Sequence, residues 1–160
     1  MISTAYLDAN ILIANYFSSH PDHQPANDLL GYLTKGNISL GISALTLDEF
    51  WYGIIFILRA NDASLFKKPF LYFDSEIKKA THKLSRLLNV KIINVDFDRA
   101  KVLTTLDYIK RFNLKPRDAF HLIYCRENKI KYLVSLDEDF QKLKVPWLQV
   151  VSKVADIDGE

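Results

Sequence analysis

The sequence predicts an α/β protein, with a parallel sheet covered by helices. Three observations carry this. Short β-branched runs alternate with longer helical runs, the pattern of strands joined by helical crossovers. Acidic residues recur just beyond or shortly after the strand-like runs, where the carboxyl ends of parallel strands share one edge and ligands bind. The chain has 160 residues, 49% of them hydrophobic, which is one domain's length and enough to bury a core.

The elements follow in order. Residues 2–7 form the first strand. Residues 9–17 form a helix, broken by His20-Pro21-Asp22. A second helix covers residues 24–35, with Leu29, Leu30 and Leu33 on one face and Gly36-Asn37 as its stop. The second strand is 38–42, and a long helix over 44–61 is apolar on most sides, as in helices buried in a core or against a partner. The aromatic run at 69–73 fits no single element, and 75–88 is a helix with a basic outer side formed by Lys78, Lys79, Lys83 and Arg86. The third strand is 91–95, and Asp96 caps a helix running to about residue 112. After the turn Asn113-Leu114-Lys115, Pro116 suits the first position of the next helix. The fourth strand is 131–134, a short helix covers 138–143, and 148–151 is an edge strand. No repeat or linker divides the chain. Residues 1–152 are expected to form one domain and 153–160 a frayed tail.

Composition bounds the function. A net charge of +2 neither announces nor excludes a nucleic-acid binder, because the distribution of charge matters more than its total. Aromatic residues make up 12% of the chain, which implies a large core, an apolar surface for a partner, or both. The single cysteine, Cys125, allows no internal disulfide and fits a reducing cytoplasm; it reads as a small buried hydrophobe. No signal peptide is visible, and the most apolar window, 50–58, is too short to span a bilayer, so no membrane association is expected.

The chemistry rests on Asp8, Glu49, Asp118 and Asp137. Each has an ordinary structural explanation. Asp8 can cap the helix after the first strand. Glu49 can close a capping box with Thr46, unless Ser43 is the true cap and frees it. Asp118 is favoured in a first helical turn by the dipole, worth roughly 0.3–1 kcal/mol. Asp137 or Asp139 can form a cap or turn. The joint pattern, strand-end Asp, helix Glu, helix-start Asp and strand-end Asp, argues for more. Four carboxylates at one edge repel unless a cation neutralises them, and hard divalent ions such as Mg2+ or Mn2+ prefer oxygen ligands.

Four segments resemble the PIN-domain family of metal-dependent ribonucleases. They are Tyr6-Leu7-Asp8-Ala9-Asn10-Ile11-Leu12-Ile13, the helical Glu49, Lys115-Pro116-Arg117-Asp118-Ala119-Phe120-His121, and Leu133-Val134-Ser135-Leu136-Asp137-Glu138-Asp139-Phe140. The chain is most similar to the small VapC-type toxins of prokaryotic toxin–antitoxin pairs. The resemblance implies a three-layer α/β/α fold with a central parallel sheet of four to five strands. It implies that Asp8, Glu49, Asp118 and Asp137 line a Mg2+ or Mn2+ site, with Asn10, Ser135 and Asp139 as supporting polar groups. It further implies cleavage of RNA to products with a 5′-phosphate and a 3′-hydroxyl, a homodimer, and a small antitoxin that blocks the site. Ala9 stands where many relatives carry Thr or Ser, which removes a hydroxyl but no carboxylate. Arg117 and Lys115 border the expected site and can hold RNA phosphates; balancing Asp118 is their other reading.

Other residues favour ordinary roles. His121, one turn beyond Asp118, reads as a packed or surface histidine, and Asp48 as surface. Trp51, Tyr52, Phe56 and Leu58 read as core, with a dimer or antitoxin surface as the alternative. A phosphatase of the haloacid-dehalogenase type would need a second Asp where this chain has Asn10, and a receiver domain would need an acidic pair where it has Asp8-Ala9. No P-loop sequence is present. A PIN-like module that binds RNA or protein without cutting is the remaining alternative.

Overall fold

The computed structural model of the chain describes residues 4–87 and 90–158. Five parallel strands, β1 (Thr4–Leu7), β2 (Ser39–Ile42), β3 (Val90–Ile92), β4 (Tyr132–Val134) and β5 (Gln149–Val151), lie in the order β3-β2-β1-β4-β5. β1 is central, pairing Thr4 with Ser39 of β2 on one side and Ala5 with Tyr132 of β4 on the other. The chain leaves β1 toward β2 and returns later to β4, so the strand order reverses at β1. A crevice opens there at the carboxyl edge.

Helices cover both faces, giving the three-layer α/β/α arrangement. Side chains alternate across β1: Ala5 and Leu7 enter one core, Tyr6 the other. The first core is closed by α1 (Ala9–Tyr16), α2 (His23–Lys35), α3 (Ala44–Asn61) and α4 (Asp74–Ser85), through residues such as Leu12, Leu29, Phe50 and Leu84. The second is closed by α5 (Arg99–Phe112), α6 (Pro116–Glu127) and α7 (Glu138–Gln141), through Tyr108, Leu122 and Phe140. A Cβ on Gly53 would meet the Ile13 Cδ1 atom, so this glycine sets how closely α3 approaches α1.

Several boundaries differ from the sequence expectation. The N-cap of α5 is Asp98, not Asp96: the Asp98 carboxylate accepts from Lys101 N at 2.8 Å, which starts the helix at Arg99. The third strand ends at Ile92 and the short helix after β4 at Gln141. The aromatic run resolves into a 3-10 turn at Phe70–Phe73. Residues 155–158 form a last helix, α8 (Ala155–Asp158), rather than a frayed tail. The Asp156 carboxylate gathers Ser152 N, Ser152 Oγ and Lys153 N, and Val154 and Ile157 pack on the first core. Residues 1–3, 88–89 and 159–160, which the expected first strand, fourth helix and tail include, lie outside the described residues.

Two local features aim the site. Pro116 occupies the first helical position of α6. Asn113, with φ 53°, takes the left-handed conformation that ends α5 and turns the chain toward α6.

Candidate active site

Asp8 leaves β1 with extended backbone and serves two ends at once. Its Oδ1 accepts from Ala9 N at 2.7 Å and so caps α1, while Oδ2 accepts from Ser135 Oγ at 2.7 Å and Asn10 Nδ2 at 2.9 Å. Ser135, wholly buried after β4, also accepts from Asp137 N and Asn10 Nδ2 at 3.0 Å each, and Asn10 Oδ1 accepts from Leu136 N. These side chains tie the loop after β1 to the loop after β4. Asn10 and Ser135, the polar groups expected beside the acids, thus both donate to Asp8 Oδ2. Burial pushes the Asp8 carboxyl above the usual range; His121 and Ser135 oppose the shift and Glu49 adds to it.

Glu49 is free to take part because Ser43 caps α3. The Ser43 hydroxyl accepts from Thr46 N, and the Thr46 hydroxyl accepts from Ser43 N, so the capping box is completed without Glu49. Glu49 Oε2 instead lies 2.7 Å from His121 Nε2. His121 is 1% exposed, and its Nδ1 lies 2.6 Å from the Tyr6 hydroxyl. An ionised carboxylate only accepts, so these partners assign a proton to Nε2, and in the neutral ring Nδ1 takes the Tyr6 hydrogen. Tyr6 also contacts Ser43 Oγ at 2.7 Å, and burial raises its phenol well beyond the ordinary range, which keeps the proton on the hydroxyl. His121 is thus not an ordinary packed histidine: it links β1, α3 and α6. Its signal was its position three residues after Asp118 on one helix face.

Asp118 occupies the third position of α6, half-buried. Its Oδ2 is buried without a hydrogen-bond partner among the described residues. Burial, then the neighbouring Asp137 charge, raises its pKa, and Asp8 adds to the effect. Asp137 caps α7 by accepting from Asp139 N at 2.8 Å. The four acids therefore do converge at the crevice beside β1 and β4. Two of them, Asp8 and Glu49, together with His121 each offer an atom within 4.8 Å of the others that could hold a metal ion.

Three expected residues border the crevice and are held in ion pairs. Asp139 is exposed and pairs with Lys115 Nζ at 2.7 Å, which lowers the Asp139 carboxyl and raises the Lys115 amine. Arg117 lies 3.8 Å from Glu49 and 3.7 Å from Asp48, so its pairing is with α3 rather than with Asp118, and Asp48 is not a bare surface acid.

The donor chemistry fits a hard divalent cation. Carboxylate oxygens predominate, one of them buried and unpartnered, and two carboxyls are pushed upward by burial and mutual repulsion that a cation would relieve.

Comparison with known proteins agrees with the geometry. The family described as PIN domain matches residues 5–146. Ribonuclease VapC6 of Methanocaldococcus jannaschii is 19% identical, over 94% of this chain and 98% of its own length. Among solved structures, VapBC2 from Rickettsia felis, bound to a DNA fragment from the promoter, aligns with TM-score 0.57 and 21% identity over 92% of this chain and 97% of that one. Mycobacterium tuberculosis VapC20, a toxin that cleaves the sarcin–ricin loop, aligns with TM-score 0.55 and 16% identity over 87% and 93%. A toxin–antitoxin complex from Klebsiella pneumoniae aligns with TM-score 0.55 and 20% identity over 92% and 95%. With the match spanning nearly the whole sheet and every one of the four acids, the chain belongs to the PIN-domain family.

Proposed function

We propose that this chain is a divalent-metal-dependent endoribonuclease and the toxin of a toxin–antitoxin pair. The observation that carries the reading is the convergence of Asp8, Glu49, Asp118 and Asp137 at the switch point of the sheet, with Asp118 Oδ2 buried and unpartnered. Asp8, Asp118, Asp137 and Glu49 would hold Mg2+ or Mn2+. When bound, such an ion lowers the pKa of an attacking water and offsets charge on the phosphodiester oxygens.

The chain's own residues do the rest. Ser135 and Asn10 fix the rotamer of Asp8 through its Oδ2. His121, held by Tyr6, fixes Glu49, leaving Oε1 to face Arg117 and the crevice. Glu49 either shares the ion or orients the water. Exposed ion pairs contribute only about 0–1 kcal/mol, so Arg117 and Lys115 can exchange their carboxylate partners for RNA phosphates.

The toxin–antitoxin part rests on the named relatives and on an uncovered apolar surface. Tyr52 and Phe56 on α3, with Phe70, Leu71 and Tyr72 beyond it, are between 48% and 79% exposed, a patch that suits a protein partner, whether an antitoxin or a second copy in a homodimer. Among the described residues, no helix is long and apolar enough to cross a membrane; the cytoplasm, where RNA is found, completes the reading.

The test is cleavage of a mixed RNA panel with Mn2+ by wild type, Asp8→Asn and Asp118→Asn, with EDTA as control. Metal-dependent cleavage by wild type alone is expected. Equal cleavage by the variants would remove the acids from the mechanism, and no cleavage of any RNA, together with no metal binding, would favour a binding module. Light scattering tests the dimer, and a monomer over a wide concentration range would reject it.

A further inference from the structure

A second cleft lies away from the acidic crevice. It holds about 660 Å³ and lies between α5, the end of α6 and the connection from α7 to β5. Its walls carry Tyr108, Arg111, Phe112, Arg126, Pro146 and Trp147, with Asp107 as the one lining carboxylate. A smaller hollow of about 200 Å³ adjoins it, sharing Arg126 and Trp147 and adding Lys129 and Lys131.

Two features of this cleft point to one ligand class. Its cations are unclaimed: Arg111, Arg126, Lys129 and Lys131 are exposed and form no ion pair among the described residues, whereas Lys115 and Arg117 beside the acids are both paired. Two of those cations sit against aromatic rings. The Arg126 guanidinium donates to the Tyr108 hydroxyl at 2.9 Å and lies 5.9 Å from that ring's centre, and Arg111 lies 5.4 Å from the centre of Phe112. The cleft lies away from the acids: Trp147, Lys129 and Lys131 precede β5 and β4 at the amino edge of the parallel sheet, and Arg126 stands at the end of α6 far from Asp118, whereas Asp8 and Asp137 follow β1 and β4 at the carboxyl edge.

We propose that this cleft is a nucleic-acid subsite that grips single-stranded RNA at a distance from the acidic crevice, stacking bases on Trp147 and Phe112 and holding phosphates with Arg111, Arg126, Lys129 and Lys131. Aromatic platforms interleaved with cations are how sequence-tolerant single-strand sites are built. The choice of RNA as ligand rests on the nuclease reading; the subsite itself does not. Tyr108 and Trp147 also pack against the second core, so the cations, not the rings, are the residues to change.

Trp147 supplies the probe. The chain has two tryptophans, and Trp51→Phe leaves Trp147 alone to report. This protein is titrated in EDTA, where no metal-dependent cutting occurs, with oligouridylate of about 12 nucleotides, a length matched to single-strand site sizes. Saturable quenching of Trp147 is expected. Adding Arg111→Glu and Lys131→Glu should weaken binding at least about tenfold and flatten the salt dependence by about one unit of slope per lost contact, with the melting temperature unchanged. Absence of quenching, or indifference to the charge reversals, overturns the proposal. Equal quenching by polyglutamate would overturn it in favour of an acidic protein segment. Cleavage without RNA-dependent quenching rejects the subsite and leaves the nuclease reading intact; quenching without cleavage in Mn2+ does the reverse.

Discussion

The two halves of α3 carry similar hydrophobicity and put it to different use. In the first half every polar group is engaged. Ser43 and Thr46 close the cap, Glu49 meets His121, and Phe50 is 2% exposed in the first core. In the second half Ile54 and Ile55 are buried, yet Tyr52 and Phe56, one turn apart, are 57% and 74% exposed. Tyr52 approaches Phe70 of the 3-10 segment, extending the bare patch. A helix apolar on most sides thus has two origins here. One end is apolar because it supports a buried site, while the other leaves an exposed apolar surface, which the proposed function assigns to a partner.

Substitutions along the helix sharpen that contrast. Phe50→Ala should have the largest effect, costing about 3–5 kcal/mol through lost burial and a cavity beside Tyr16 and Leu12, read by urea denaturation. Glu49→Gln should leave the fold and the denaturation midpoint near wild type but lower RNA cleavage by about 100–1000-fold. An equal loss of stability there would make Glu49 structural. His121→Ala should cost cleavage about 10–100-fold, as expected for a residue acting through another. Gly53→Ala sets a helix-propensity gain of about 1 kcal/mol against a clash with Ile13 that costs about 1–3 kcal/mol; a net loss is expected in thermal melts. Phe56→Ser should be the mildest, within about 0.5 kcal/mol of wild type and with normal cleavage, while weakening self-association or antitoxin binding in light scattering.

The acidic crevice also predicts a pH dependence. Burial and neighbouring carboxylates hold Asp118 above its ordinary pKa, so the folded protein binds that proton more tightly than the unfolded chain. Its effect on stability therefore becomes unfavourable as pH rises from the ordinary carboxylate range through the raised pKa, and stays so above it. Relative to wild type, metal-free Asp118→Asn should gain stability over that climb. With saturating Mn2+ at neutral pH the order should reverse, since binding to the folded state stabilises only the protein that keeps the site. Parallel melting curves at every pH would contradict this.

Much of this architecture was legible because local signals and tertiary packing agree. The apolar run over 44–61 gives α3 the same bounds in sequence and structure, and Pro116 marks the start of α6. Asp96 and Asp98 are both good caps, and only the direction of the chain beyond β3 selects Asp98. The tail departs from the sequence expectation at 155–158 because Asp156 stabilises its turn through Ser152 and Lys153, contacts that no periodicity announces. At the site, the four acids could be named from their places relative to strands and helices. His121 could not be assigned its link to Glu49, because that contact joins residues 72 positions apart, and the ion pairs of Lys115 and Arg117 are likewise set only by the fold.

The central claim is that the acids at the β1–β4 crevice hold a divalent ion for RNA cleavage. Its most direct test is a calorimetric titration of Mn2+ into the metal-free wild type and Asp118→Asn. Saturable binding by wild type that is lost or strongly weakened in the variant is the predicted result. No binding by wild type, or binding that the variant retains unchanged, would contradict it.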